Sequence, residues 1–334
     1  MFDIPKAKSS VPFSIAVEEF FQDMRAARRS HHTISDYGVT FRYFLDWLGE
    51  DLLMSAITKQ HIAQFMQTMA ERKTAPNGVA PRPARRRSAK TLRNYHTALS
   101  ALWTWAVDEG YAPIHIIRLV KAPKVNAKPI EPFSDEEVVD LFNACKLTKS
   151  WHNKPLSQGE RHTCLRDMAI ILLLLETGVR RAELLSITMN DLDLSRNRIH
   201  IRHGKGDKDR YVSYGTVAAK ALRHYLAERP GEAKKHGDYL FVNFLRYKGH
   251  KMSGGSLSKL LQRIGRRAGV SDVHAHRFRH TAAIKRLQNG MNAYQLKEFL
   301  GHADLASTTR YVNLAAVDME PVWRRTSPVD NLRL

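Results

Sequence analysis

Tyr311 follows His302 by nine positions (311 − 302 = 9) in Gly-His-Ala-Asp-Leu-Ala-Ser-Thr-Thr-Arg-Tyr. Three basic clusters lie upstream. They are Arg180 in Thr-Gly-Val-Arg-Arg-Ala-Glu-Leu, Lys205 in Gly-Lys-Gly-Asp-Lys-Asp-Arg, and His276 with Arg279 in His-Arg-Phe-Arg-His. A tyrosine hydroxyl ionises near ~10, so at neutral pH it attacks only beside a proton acceptor and groups that stabilise the transition state. Together the clusters supply what a tyrosine needs to attack a phosphodiester, and they suggest exchange of DNA strands.

Composition narrows the setting in which such chemistry would occur. The chain has 334 residues, enough to bury two ordinary cores. Its formal charge of +20 favours a polyanionic partner over a small acidic substrate, and nucleic acid is the foremost polyanion. With 43% hydrophobic residues and sustained helical patterning, the chain is not a disordered basic tail. Cys145 and Cys164 make neither a disulfide framework nor a zinc set, which points to a reducing compartment. No apolar run approaches the ~18 residues of a membrane span, and no signal-peptide pattern opens the chain. A soluble, cytoplasmic protein is expected.

The elements that must position these residues fall into two groups. After a short tail over 1–11, residues 12–120 read as a helical domain. One helix runs from a cap at Ser14 to Ala26 with Ile15, Phe20, Phe21 and Met24 on its apolar positions. A second spans Thr33 to Leu48, with Tyr37, Phe41, Phe44 and Leu48 in step and Gly49 as the stop. Thr58 begins a third through Ile62, Phe65 and Met69, and Ser88 begins a fourth whose stripe is Leu92, Tyr95, Leu99, Leu102 and Trp105. These aromatic stripes are read as core. Between the third and fourth helices, Thr74 to Arg87 holds Pro76, Gly78, Pro81 and Pro83, which forbid a helix, together with Arg82, Arg85, Arg86 and Arg87. Such a charge run is either solvated or set against phosphate, and the overall charge favours DNA contact.

A proline- and lysine-rich stretch over 121–132 reads as an extended basic linker, and Ser134 with Glu137 makes a capping box that opens a second domain over 133–334. There the apolar stretch Met168 to Leu175 reads as a buried helix that Gly178 ends. Glu183 lies three residues after Arg180 on one helix side and can form a purely structural pair with it. Alternating residues over 198–202 and 210–214 predict a hairpin with Lys205 near its tip, where a lone lysine can equally be a solubilising residue. His276 and His280 have the i,i+4 spacing of metal ligands, but the rest of a metal site is missing. The helix they open runs to Asn289-Gly290. Asn292 and Gln295 cap another to Leu300, and Tyr311 sits early in the last helical pattern.

In this order, Thr-Gly-x-Arg-x-x-Glu-Leu, Gly-Lys-Gly, His-x-x-Arg-His, Leu-Gly-His and a tyrosine nine residues on, the chain resembles the tyrosine recombinases, also called phage integrases. The resemblance covers 133–314, and the first domain is similar to that family's core-DNA-binding domain. It implies a mainly α fold with a small antiparallel β-sheet: a SAM-like four-helix DNA-binding domain followed by an α+β catalytic domain. Residue by residue, it implies that Arg180 and Arg279 bind phosphate, that Lys205 is the hairpin lysine, and that His276 and His302 are the active-site histidines. Tyr311 would be the nucleophile, with Glu183 and His280 in supporting positions. The implied partners are double-stranded DNA bearing a recombination site and three further copies of the chain, assembled as a tetramer on two sites. The segment from 315, with Met319, Val322 and Trp323, is long enough to pack on a neighbour or on its own domain. The early start of the helical module looks more like the compact Xer or Cre kind than the lambda type. A type IB topoisomerase or telomere resolvase would share the nucleophile chemistry, and a non-catalytic DNA-binding regulator would share the charge.

The chemistry fits those roles. His276 is the expected proton acceptor. Two guanidinium forks can hold nonbridging oxygens in fixed bidentate geometry, which ammonium groups cannot. Lys205 would protonate the departing 5′-oxygen. Because a phosphotyrosyl ester keeps much of the energy of the bond it replaces, another 5′-hydroxyl can reverse the attack, and neither ATP nor a metal is required.

Overall fold

Aromatic packing organises the first half of the chain. A computed structural model describes residues 10–74, 85–126, 131–146, 163–202, 209–245, 247–302 and 304–315, and it divides into two units, Met1–Lys128 and Pro129–Leu334. In the first unit, α1 (Phe13–Ala26), α2 (His31–Leu48), α3 (Lys59–Glu71) and α4 (Ala89–Asp108) enclose Phe13, Phe41, Phe44, Phe65, Leu99 and Trp103. Phe44 meets Phe65 edge-on with centroids 5.0 Å apart, a favoured geometry for aromatic quadrupoles. Local caps set the helix starts: the side chains of Ser30, Thr58 and Ser88 each accept a backbone N–H from the first turn. Two local expectations are corrected. Pro12 occupies the cap of α1, while Ser14 lies inside the helix and bonds Asp51, and Ile15 faces solvent at 45% exposure.

Between α3 and α4 the chain closes in a short antiparallel ladder, β1 (Lys73–Thr74) against β2 (Arg85–Arg86). Arg86 is exposed. Arg87 instead rests on its own unit, with Cζ 5.3 Å and 5.7 Å from the Tyr43 and Tyr95 ring centroids. Arg82 lies outside the described residues, as do the stretch 147–162 and the tail from 316 with Met319, Val322 and Trp323.

The second unit begins at α5 (Asp135–Ala144), capped reciprocally by Ser134 and Glu137. Its centre is α6 (Cys164–Thr177), where Ala169, Ile170, Ile171, Leu173 and Leu174 are all fully buried, as a helix apolar on all sides must be. After α7 (Arg181–Ser186) come β3 (Leu192–Asp193), β4 (Arg198–Ile201) and β5 (Arg210–Ser213), an antiparallel sheet in the order β3-β4-β5. Ile199 pairs with Val212 and Ile201 with Arg210, so alternate residues of the hairpin face the core. Lys205, at the expected hairpin tip, lies outside the described residues.

Two helices not anticipated from the sequence follow, α8 (Thr216–Glu228) and α9 (Gly254–Ala268). The chain then folds α10 (Ala275–Gln288), α11 (Ala293–Leu300) and α12 (Ala306–Ala315) around a separate cluster of Ala283, Ile284, Leu287, Leu296, Leu300 and Tyr311. Tyr311 is the sixth residue of α12 as described. Among the described residues no helix is long and apolar enough to cross a membrane.

Gly178 and Gly269 both end helices in the left-handed conformation, with φ of 56° and 70°. A Cβ on Gly178 would lie 3.0 Å from the Leu300 side chain, whereas none would meet anything at Gly269. Gly269→Ala should therefore cost about 1 kcal/mol and Gly178→Ala roughly 2–3 kcal/mol. Urea unfolding of the two variants checks this, and equal losses would mean that Leu300 yields freely.

Candidate active site

The left-handed Gly178 turns the chain out of α6, so that Val179 is buried and Arg180 takes the extended conformation at the N-cap of α7. Glu183, in the first turn, reaches back to the Arg180 backbone N–H at 2.8 Å and to its Nη1 at 2.7 Å. The expected Arg180–Glu183 pair therefore exists, and it leaves Arg180 available. The Arg180 side chain remains 28% exposed. Glu183 also accepts a fork from Arg210, with Nη1 at 3.2 Å and Nη2 at 2.8 Å. Burial alone would raise this carboxyl, but Arg210 and Arg180 outweigh it and hold the pKa at about 2.

Three successive carbonyls at the end of α11 each take one guanidinium. Phe299 accepts Arg210 Nε at 3.2 Å, Leu300 accepts Arg279 Nη2 at 2.7 Å, and Gly301 accepts Arg180 Nη2 at 3.3 Å. These are the oxygens a helix leaves unpaired, at the negative end of its dipole. Gly301 permits the approach: with φ at 64°, a Cβ there would stand 3.0 Å from Arg210 Nη1. Arg279 is only 2% exposed and also donates to the Gly178 carbonyl at 2.7 Å. Burial, with Arg180 nearby, lowers its pKa to about 10, so the group stays cationic at neutral pH. A buried cation held by carbonyls alone still lacks a counter-ion, which makes the spot receptive to an anion.

The i, i+3, i+4 spacing of His276, Arg279 and His280 puts all three on one side of α10. His280 rather than His276 meets the tyrosine, with Nδ1 2.8 Å from Tyr311 Oη. His276 lies edge-on to His280, ring centroids 4.3 Å apart. Burial first, then the charges of His276 and Arg310, push the His280 pKa down to about 3. Its ring is therefore neutral at physiological pH and can accept a hydrogen bond. One side of His276 is open to solvent, yet burial of the rest and the charges of Arg279 and Arg310 also lower its pKa.

His302, just past the α11 terminus, bonds the buried Thr308 through Nδ1 at 2.8 Å, and its ring runs nearly parallel to that of Tyr311 at 6.2 Å. Burial lowers its pKa to about 4. Tyr311 itself is fully buried, and Arg310 Nη2 donates to its Oη at 2.9 Å. Of the residues singled out in the sequence, Arg180, Glu183, Arg279, His280, His302 and Tyr311 converge here, with His276 at the edge. Arg210, Thr308 and Arg310 were missed. A signal for Arg210 exists, since the strand alternation puts it on the same face as buried Val212, where an arginine needs a carboxylate. Among the described residues no three His, Cys, Asp or Glu side chains gather to hold a metal ion.

Comparison with known proteins gives the arrangement a family. The model described as the phage integrase family matches residues 133–317, and that for a phage integrase N-terminal SAM-like domain matches 17–112. Tyrosine recombinase XerA of Saccharolobus solfataricus is 29% identical over 300 residues, covering 90% of this chain and 88% of that protein. Tyrosine recombinase XerC of Staphylococcus carnosus is 27% identical over 327 residues, 97% of each chain. In fold, the chain is similar to XerH site-specific recombinase bound to palindromic difH substrate, with a TM-score of 0.65 and 22% identity over 95% of this chain and 85% of that one. It is also similar to a lambda integrase dimer bound to a COC′ core site, with a TM-score of 0.63 and 15% identity over 89% and 97%. The catalytic-family match spans more than half of the sequence, and the chain belongs to the phage integrase family of tyrosine recombinases.

Proposed function

We propose that the protein is a site-specific recombinase that cuts and rejoins double-stranded DNA, with Tyr311 as its nucleophile. The observation that carries this reading is the contact of a buried phenol with a neutral imidazole, beside two guanidiniums held by backbone carbonyls. In the forward step the Tyr311 oxygen attacks phosphorus and its proton passes to His280. Arg180 and Arg279 hold the nonbridging oxygens as charge grows on them, and His302 adds a hydrogen bond from the nitrogen that Thr308 leaves unused. The bond from phosphorus to the 5′-oxygen breaks, and Lys205 supplies the proton that the departing oxygen needs. The product is a 3′-phosphotyrosyl ester and a free 5′-hydroxyl. In rejoining, the 5′-hydroxyl of a second strand attacks phosphorus and gives its proton to Lys205, the bond from phosphorus to the Tyr311 oxygen breaks, and His280 returns its proton to that oxygen.

The first unit is proposed to hold the duplex as the core-DNA-binding domain, with Arg82, Arg85, Arg86 and Arg87 as its proposed DNA contacts, of which Arg86 is exposed. A net charge of +20 supports this. Four copies on two recombination sites form the proposed working assembly, located with DNA in the cytoplasm. Its C-terminal segment is the proposed link between neighbours.

A library of nicked duplexes with randomised sequence provides the substrate: DNA left attached to protein after denaturation is sequenced, and the enriched duplex is used thereafter. Tyr311→Phe should form no attached product while binding the enriched duplex as the wild type does, and attachment by this variant would overturn the assignment. Arg279→Ala should slow single-turnover cleavage by about 10²- to 10³-fold. Glu183→Gln tests how the arginines are held. The depressed carboxyl contributes stability that is complete above its unfolded pKa near 4.5 and fades as pH falls towards about 2. The variant should therefore lose on the order of 3 kcal/mol at pH 7 and much less at pH 3, as read by urea unfolding.

A further inference from the structure

Consecutive residues of a helix point about 100° apart and do not ordinarily face one another. Arg310 departs from this. Its guanidinium folds back over the ring of the next residue, with Cζ 4.8 Å from the Tyr311 centroid, and Nη2 donates to Oη at 2.9 Å. The phenol oxygen thus has a proton acceptor on one side, His280 Nδ1 at 2.8 Å, and a permanent cation on the other. With Arg310 donating, the phenol proton is free to point to His280 Nδ1 in the tautomer that carries the imidazole proton on Nε2. Arg310 also contributes to the lowered pKa of His276, His280 and His302, so its charge sits among all three histidines.

The other guanidiniums of the site each have protein partners that fix them in place. Arg210 and Arg180 share Glu183, and Arg279 is enclosed by the carbonyls of Gly178 and Leu300. Arg310 is exposed, and among the described residues it forms no ion pair with a carboxylate. Its guanidinium lies against the phenol oxygen on one side and faces solvent on the other, which screens its field but leaves the contact with Oη direct.

We propose that Arg310 is a further catalytic residue, a cation that stabilises negative charge on Tyr311 Oη as that oxygen attacks phosphorus and again as it leaves. The inference rests on Tyr311 being the nucleophile. In the forward direction the O–H bond breaks towards His280, the new O–P bond forms, and Arg310 favours the oxyanion between those two events. In rejoining, the bond from phosphorus to the phenol oxygen breaks, the electron pair returns to that oxygen beside the guanidinium, and His280 gives the proton back. No further reactant is needed.

The test uses the full chain and the enriched nicked duplex at saturating concentration. Arg310→Ala should cut single-turnover attachment about 10²-fold, with the duplex bound as tightly as by the wild type. Arg310→Lys should recover part of the loss, and added guanidinium ion should accelerate Arg310→Ala but not the wild type. Loss of binding alone, with an unchanged rate at saturation, would make Arg310 only a DNA contact. A faster Arg310→Ala would make it a brake on the tyrosine. Either result, or a slow variant that guanidinium does not rescue, overturns the proposal while leaving Tyr311 as nucleophile. Attachment by Tyr311→Phe at the wild-type rate would instead remove the reading on which it rests.

Discussion

The end of α11 governs the site. A helix terminus leaves its last carbonyls without intrahelical partners, and here three consecutive ones are satisfied by arginines from three separate parts of the chain. Guanidiniums repel one another, so bringing them together needs fixed negative charge. The helix dipole supplies part of it without adding a carboxylate beside the proposed phosphate position. Glu183 supplies the rest from the far side, tying Arg180 to Arg210 and leaving Arg279 to carbonyls alone. Positive charge is thereby assembled before any DNA arrives, and preorganised charge is more effective than charge that must reorganise during reaction.

Local chemistry was legible in the sequence wherever a residue and its partner lie within one turn. Thr58, Ser88, Ser134 and Asn292 begin helices as expected, Gly49, Gly178 and Gly301 end them, and Glu183 pairs with Arg180. The motif order was enough to gather the histidines and arginines around Tyr311 because each motif marks one end of an element. What escaped depends on how elements cross. Which histidine of α10 touches the phenol is decided by the rotational phase of α10 against α12, and both His276 and His280 satisfy the spacing. Arg210 reaches Glu183 across 27 positions, from a strand onto a helix. α8 and α9 carry no chemical motif to announce them. Ser14 was misread for a simpler reason, since a serine near a helix start can cap or sit inside it, and Asp51 selected the latter.

The two histidine neighbours of the tyrosine are also distinguished by environment. His280 is enclosed beside cations and remains neutral at physiological pH, which leaves a ring lone pair free for a hydrogen bond. His302 has one nitrogen occupied by Thr308, so its ring is oriented before substrate binds. These are different tasks for the same residue type.

Tyr311 belongs to the hydrophobic cluster that attaches α12 to α10 and α11, alongside Leu296 and Leu300. The proposed nucleophile is thus part of the adhesive that seats its own helix. Unseating this helix would therefore also part the phenol from His280 and Arg310, so docking of the last helix and assembly of the cluster around Tyr311 are one event.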